Sequence, residues 1–233
     1  QKLERQRSRL ESLQELEQNL DGYSEGVRLL FDEGKLQRQV AADFLQVAPE
    51  HELAVEMALG ERLQAIPLEN LNQLDDTFSL LRAKGARATL LLAAEACEDV
   101  MSVAGATALS KVVKCKGAYA KQVTSLLAGT FLVESLESFF GQTLAPGTLL
   151  VTMAGDCLSW RGELIGGAPV AAGSGLLRKK REIEELTVQV AKLHHQLPRR
   201  LALHVLHDLA RRHVRRSRHQ DVHMILTDDP FEN

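Results

Sequence analysis

Apolar positions fall at helical spacing at the two ends of the chain and in short runs between them. Over the first twenty residues, Leu3, Leu10, Leu13, Leu16 and Leu20 recur among Glu, Gln and Arg, with no Gly or Pro. That spacing predicts a helical arm over 1–21, closed at Asp21-Gly22, where glycine adopts the left-handed geometry that ends a helix. Beyond the Gly-rich stretch 166–175, Leu176, Ile183, Val190 and Leu197 repeat every seven residues, with Leu186 and Leu193 at the complementary position. This is a heptad seam, and it predicts a second arm over 171–197, with Arg178 to Glu182 and Glu184-Glu185 supplying the charges beside the seam. Two such segments flanking a globular middle are expected to pair antiparallel with each other, the chain leaving along one helix and returning along the other.

The middle, 22–170, alternates helical and strand-like patterns. Ala54 to Leu63 follows Pro49-Glu50, residues that suit a helix start. Gln64 to Leu68 is an apolar run of strand length, Leu71 to Lys84 is an amphipathic helix ending at Gly85, and Arg87 to Leu92 predicts a buried strand. The apolar runs Val123 to Leu127, Phe131 to Val133, Leu149 to Met153 and Glu163 to Ile165 complete a pattern that alternates too often for a helical bundle. The expected fold class is α+β, a two-lobed globular domain flanked by an antiparallel coiled coil.

Composition narrows the function. The chain has 233 residues, 45% of them hydrophobic, and a formal charge of -3, enough for one good core. Aromatic residues make up 4%, so a base-stacking platform is not expected. Cys97, Cys115 and Cys157 lie far apart without a CxxC spacing, which reads as reduced cytosolic thiols. No run approaches the roughly 18 apolar residues of a membrane span, and the start, Gln1-Lys2-Leu3-Glu4, has no apolar signal region, so a soluble piece of something longer is expected.

Several stretches, in order, resemble the hinge of the SMC (structural maintenance of chromosomes) family, bacterial type. They are Val40-Ala41-Ala42-Asp43-Phe44-Leu45-Gln46-Val47 leading into Glu52 to Gly60; Lys84-Gly85 with Arg87 to Leu91; Leu126 to Glu137; Val151 to Asp156 with Arg161 to Gly167; and Gly175-Leu176-Leu177-Arg178 opening the exit helix. The resemblance covers about 22–186. It departs from the family at Arg161, where many hinges carry a second glycine beside Gly162.

The resemblance implies a dimerisation module joining two protomers of a chromosome condensation and segregation ATPase. Its alternative is the hinge of a related coiled-coil ATPase of DNA repair or plasmid defence. Gly162, Gly166 and Gly167 match the family glycines that line the dimer interface. Glycine there lets a second backbone approach a strand edge, although the same residues read equally as turn glycines. Lys111, Lys114, Lys116 and Lys121 form the basic cluster of the globular part, and Arg178, Lys179, Lys180 and Arg181 sit where the exit arm leaves. Similar hinges bind DNA near that junction, and contact there would be directed at the backbone and tolerant of sequence. The resemblance further implies a homodimer, kleisin-type subunits at distant heads, ATP and Mg at those heads with no cofactor in the hinge, and a cytoplasmic, nucleoid-associated parent.

Enzyme motifs fail on inspection. His51-Glu52 opens like a zinc-protease helix, but Val55 occupies the place of the second His. No phosphate-cradling GxxxxGK[ST] loop exists, and Gly173-Ser174-Gly175 lacks the first glycine of a nucleophile elbow. After Leu197 the pattern changes: Pro198 interrupts the heptads, and seven of the eight histidines lie from His194 onward. Residues 198–233 form an atypical His/Arg-rich tail. His204 and His207 at i,i+3 could hold a metal and found a metal-dependent enzyme, a surface pair being the commoner case. The run Arg211 to His219 could touch nucleic acid or be a non-native ending.

Overall fold

The computed structural model describes residues 2–34, 36–69, 71–92, 102–167 and 175–196. The tail 198–233, with His204 and His207, therefore lies outside the described residues, as do Cys97 and the linker 168–174. In chain order the elements are α1 (Lys2–Gln18), α2 (Glu25–Asp32), β1 (Leu45–Gln46), α3 (Glu52–Leu59), β2 (Ile66–Pro67), α4 (Leu74–Ala83), β3 (Leu90–Leu91), β4 (Thr107–Ala108), α5 (Leu109–Val112), β5 (Lys114–Cys115), α6 (Ala120–Ser125), β6 (Thr130–Val133), β7 (Leu149–Thr152), β8 (Cys157–Ser159), β9 (Leu164–Ile165) and α7 (Leu176–Gln196). Short 3-10 turns, among them Ala41–Phe44 and Gly60–Gln64, join several of them.

The chain divides into two compact units, one of residues 12–184 and one made of the outer ends of the arms. In the outer unit the two helices meet side by side, where the Gln6 amide donates to Gln189 Oε1 at 2.6 Å.

The larger unit is built on a five-stranded sheet in the order β4-β6-β7-β8-β9. Its pairings are antiparallel except β6 with β7, which run parallel. Successive residues of a strand point to opposite faces, and β7 displays this directly. Val151 joins the main core with Val27, Leu30, Val55, Leu109 and Leu127, while Leu150 joins a second cluster with Phe131, Phe139 and Leu158. The α+β architecture predicted by the pattern is thus observed, with one sheet whose two faces bury two clusters. Two smaller sheets complete the unit: β1 antiparallel to β5, and β2 parallel to β3.

Close backbone approaches tie helices to this framework. A Cβ on Gly26 in α2 would overlap the Arg87 carbonyl. At Gly155, in the β7–β8 turn, it would come within 2.7 Å of Met57 Cγ on α3. Gly26 is needed for contact distance, and Gly155 also for its left-handed backbone, φ +88°.

Three local expectations change. The helix expected over Ala54 to Leu63 starts at Glu52 and yields at Gly60 to a 3-10 turn, and the one over Leu71 to Lys84 opens as 3-10 before becoming α at Leu74. The run Arg87 to Leu92 pairs over two residues only and is half-buried, not buried. The apolar run Val123 to Leu127, given no element type by its pattern, starts in α6 and ends in a turn, with Val123 and Leu127 both fully buried. A short buried helix and a buried strand look alike at this length.

The close of α1 also differs. Leu20, not Gly22, is the first residue with left-handed φ (56°). The Asp21 N–H donates to Leu16 O and the Leu20 N–H to Glu17 O, which is the Schellman pattern with leucine in glycine's usual place. Burial of the Leu20 side chain in the main core offsets the conformational cost of about 1 kcal/mol or more.

Candidate functional site

Two places stand out. The first is the free edge of the sheet. Among the described residues β9 has a neighbour on one side only, β8, and its two residues are apolar yet open, with Leu164 59% and Ile165 57% exposed. An exposed apolar edge strand is a template for pairing with another chain. Beside it lies an open cleft of about 560 Å³, floored by Leu136, Met153, Leu164 and Ile165 and rimmed by Glu134 and Glu137.

The glycines at this edge do separate things. Gly162 closes the β8–β9 turn, its N–H donating to Ser159 O at 2.9 Å, with φ +83°. The Gly167 N–H donates to Asp156 Oδ1 at 3.3 Å, and a Cβ on Gly166 would lie 2.5 Å from that same oxygen. Gly166 therefore packs against a side chain of its own chain. At Gly162 and Gly167 a Cβ would meet nothing within 4 Å, so the space before them is open. At the turn, the Arg161 guanidinium lies 4.8 Å from the centroid of the exposed Trp160 ring, within cation–π range.

The second place is the junction of the arms with the body. The N-terminus of α7 is capped from a distance: the Glu56 carboxylate, on α3, accepts from Gly175 N–H at 2.8 Å and Leu177 N–H at 2.9 Å. A carboxylate there satisfies orphan amides and complements the helix dipole. One turn on, Lys180 Nζ donates to Glu17 Oε1 at 2.7 Å and to Asp43 Oδ1. Lys179 Nζ lies 3.0 Å from Glu17 Oε2 and donates to the Asp21 carbonyl. Arg181 pairs with Glu52. The Tyr23 hydroxyl donates to Glu17 Oε1 at 2.7 Å.

Burial alone would push the Glu17 carboxyl up, but Lys180 and the hydrogen bonds from Lys180, Tyr23 and Lys179 outweigh it and hold it at about 2. Burial would pull the Lys180 ammonium down, and Asp43 and Glu17 instead keep it above its ordinary range. The pairing is mutually consistent, each charge stabilising the other.

The sequence-predicted cations therefore separate into two groups. Lys179, Lys180 and Arg181 are engaged in ion pairs within the molecule, the first two with side chains only 16% and 15% exposed. Lys116 forms an exposed pair with Glu184 at 3.0 Å. Arg178, Lys111, Lys114 and Lys121 face solvent, the last three on α5, β5 and α6. The residues that sequence reasoning missed are the acceptors Glu17, Asp43, Glu52 and Glu56, together with Tyr23. Glu52 and Glu56 carried a legible signal, an i,i+4 acidic pair on one face of α3. Among the described residues no group of three His, Cys, Asp or Glu gathers as a metal site, and no helix is long and apolar enough to cross a membrane.

A small mixed sheet set between an outgoing and a returning helix, with an apolar strand edge left open, defines a hinge module of coiled-coil proteins. Residues 35–138 match the family model of the SMC proteins flexible hinge domain, and the chain belongs to the SMC family through this domain. It is 32% identical over 203 residues to the chromosome partition protein Smc of Myxococcus xanthus, matching 80% of this chain and 17% of that protein. To the Smc of Desulfitobacterium hafniense it is 33% identical over 205 residues, matching 79% of this chain and again 17% of the relative. The chain thus spans about a sixth of the length of the curated relatives it matches. The solved asymmetric dimer of the Geobacillus stearothermophilus SMC hinge domain shares the fold, with TM-score 0.68, 23% identity, and coverage of 90% of this chain and 91% of that one.

Proposed function

We propose that this hinge joins two copies of its chain through the β9 edge, as the dimerisation module of an Smc chromosome partition ATPase. The observation that carries the reading is the pair Leu164 and Ile165, apolar, exposed and on a strand with one side unpaired among the described residues. Pairing of that edge with a second copy satisfies open backbone groups and buries both side chains. Gly162 and Gly167 leave room for the incoming backbone. Light scattering on the purified chain tests this: wild type runs at twice the monomer mass, and Ile165→Asp, which changes only an exposed side chain of the edge, reduces it to one. An unchanged dimer in the variant removes the interface assignment.

DNA contact belongs to the same proposal in narrowed form. Lys111, Lys114, Lys121 and Arg178 are the sequence-predicted cations that stay exposed with no carboxylate partner among the described residues, so they are the ones that would meet phosphates, whereas Lys179, Lys180 and Arg181 would first have to leave their carboxylates. Binding through them is sequence-tolerant and falls with salt, the slope counting the phosphates neutralised. Titration of single- and double-stranded DNA across a salt series measures it, and a slope indistinguishable from zero rejects it. ATP and Mg, and kleisin-type partners, are assigned to head domains in other parts of the parent protein, which we place in the cytoplasm with the nucleoid.

A further inference from the structure

We propose that the arm junction is a latch centred on Lys180, which makes the end of the outgoing helix, the start of the returning helix and the globular body one mechanical element. The inference goes beyond dimerisation and DNA contact and depends on neither. Three cations from one turn of α7, Lys179, Lys180 and Arg181, meet three carboxylates from three different places: Glu17 on α1, Asp43 in the 3-10 turn Ala41–Phe44, and Glu52 on α3. Lys180 alone reaches two of those places at once.

The cluster is also shielded. Side-chain exposure is 15% at Lys180, 28% at Glu17 and 29% at Asp43, and the buried Tyr23 ring lies 5.8 Å from both Lys179 Nζ and Lys180 Nζ. Asp43 is itself held in place, its second oxygen accepting the Val40 N–H at 2.8 Å. Shielded pairs are weakly screened, and removal of one partner strands the others as uncompensated charges. Such a cluster favours one arrangement and resists gradual bending. A change in the direction of either arm relative to the body must therefore break the Lys180 pairs as a step, and the two helix ends are released together.

Hydrogen exchange of backbone amides, followed by mass spectrometry on the whole chain, tests the latch. Useful reporters are the Asp21 and Tyr23 amides at the end of α1 and the Lys179 amide in α7, each hydrogen-bonded in the structure. In Glu17→Gln, which keeps the shape and a hydrogen-bonding amide, exchange is expected to rise about tenfold over 19–23 and over 177–184 alike, with β6, β7 and β8 unchanged. Lys180→Met is expected to give a larger rise over the same two segments. Acceleration confined to one helix end, or absent from both, overturns the latch. So does an equal acceleration of the β6–β8 amides in both variants, which makes Lys180 a general stability element instead.

Discussion

The β9 edge and the arm junction solve opposite problems with opposite chemistry. At the edge, two apolar side chains are exposed, and Glu134, Glu137 and Asp156 line the cleft beside them. At the junction, charged residues lie inward and each carboxylate has a cation on it. An edge that awaits a partner has to leave its hydrogen-bonding groups open, whereas a joint that transmits force has to satisfy its own. The contrast shows why a cluster of basic residues in the sequence is a poor guide to an outward-facing charge: three of the four at the start of α7 are taken up by the molecule itself.

The largest effect is expected at the edge. Ile165→Asp places a charge where the second copy pairs, and dimer affinity should fall by at least about a hundredfold, or roughly 3 kcal/mol. Because Ile165 is already exposed in the single chain, the melting temperature of the dissociated variant should stay within about 2 °C of wild-type monomer. Sedimentation equilibrium and thermal melts at low concentration separate the two readouts. A large loss of melting temperature would mean that β9 is a core strand and that the comparison is misdrawn.

At the junction, Lys180→Met leaves Asp43 without its cation and Glu17 with Lys179 alone. Hydrogen exchange over 19–23 and 177–184 should speed up roughly a hundredfold, equivalent to about 3 kcal/mol of local opening, the usual cost of breaking a shielded pair from one side, and dimer affinity should be unaffected. Glu56→Ala is expected to cost about 1 kcal/mol by the same assay, since it removes the acceptor for two amides at the start of α7. An equal loss of dimerisation in either variant would merge two regions that we treat as separate.

Acidity sharpens the contrast further. The Glu17 carboxyl is depressed from 4.5 to about 2 in the folded chain, so its contribution is fully present above about pH 4.5 and is lost as the pH falls through 4.5 toward 2. Glu17→Gln should therefore flatten the fall in stability over that window, measured as the difference between wild type and variant in urea midpoints from pH 5 to 2. The smallest effect belongs to Lys116→Ala. Its pair with Glu184 is solvent-exposed, and the loss should stay within about 0.5 kcal/mol.

Much of this was written in local pattern. The arm helices were legible because a helix repeats on the scale of a few residues, and the leucines and glutamates of 2–18 and 176–196 display that repeat with no help from the rest of the chain. Runs such as Phe131 to Val133 and Leu149 to Met153 became strands as expected, and the family resemblance in ordered stretches pointed to the hinge that the comparisons then found. The glycines at 162–167 flank β9, and the sequence did not say which of them packs against its own fold. The structure places Gly166 against the Asp156 carboxylate.

The sequence by itself determined the two helical arms, the mixed α+β middle and the family. The tertiary structure decided which strand lies at the rim, that Val123 falls in a short helix, that Leu20 takes the left-handed position, and which cations are spent inside. The physical reason is range. Periodicity and turn chemistry act between near neighbours, whereas Glu17 and Lys180 are separated by 163 positions and meet only because the sheet and its helices bring them to one place.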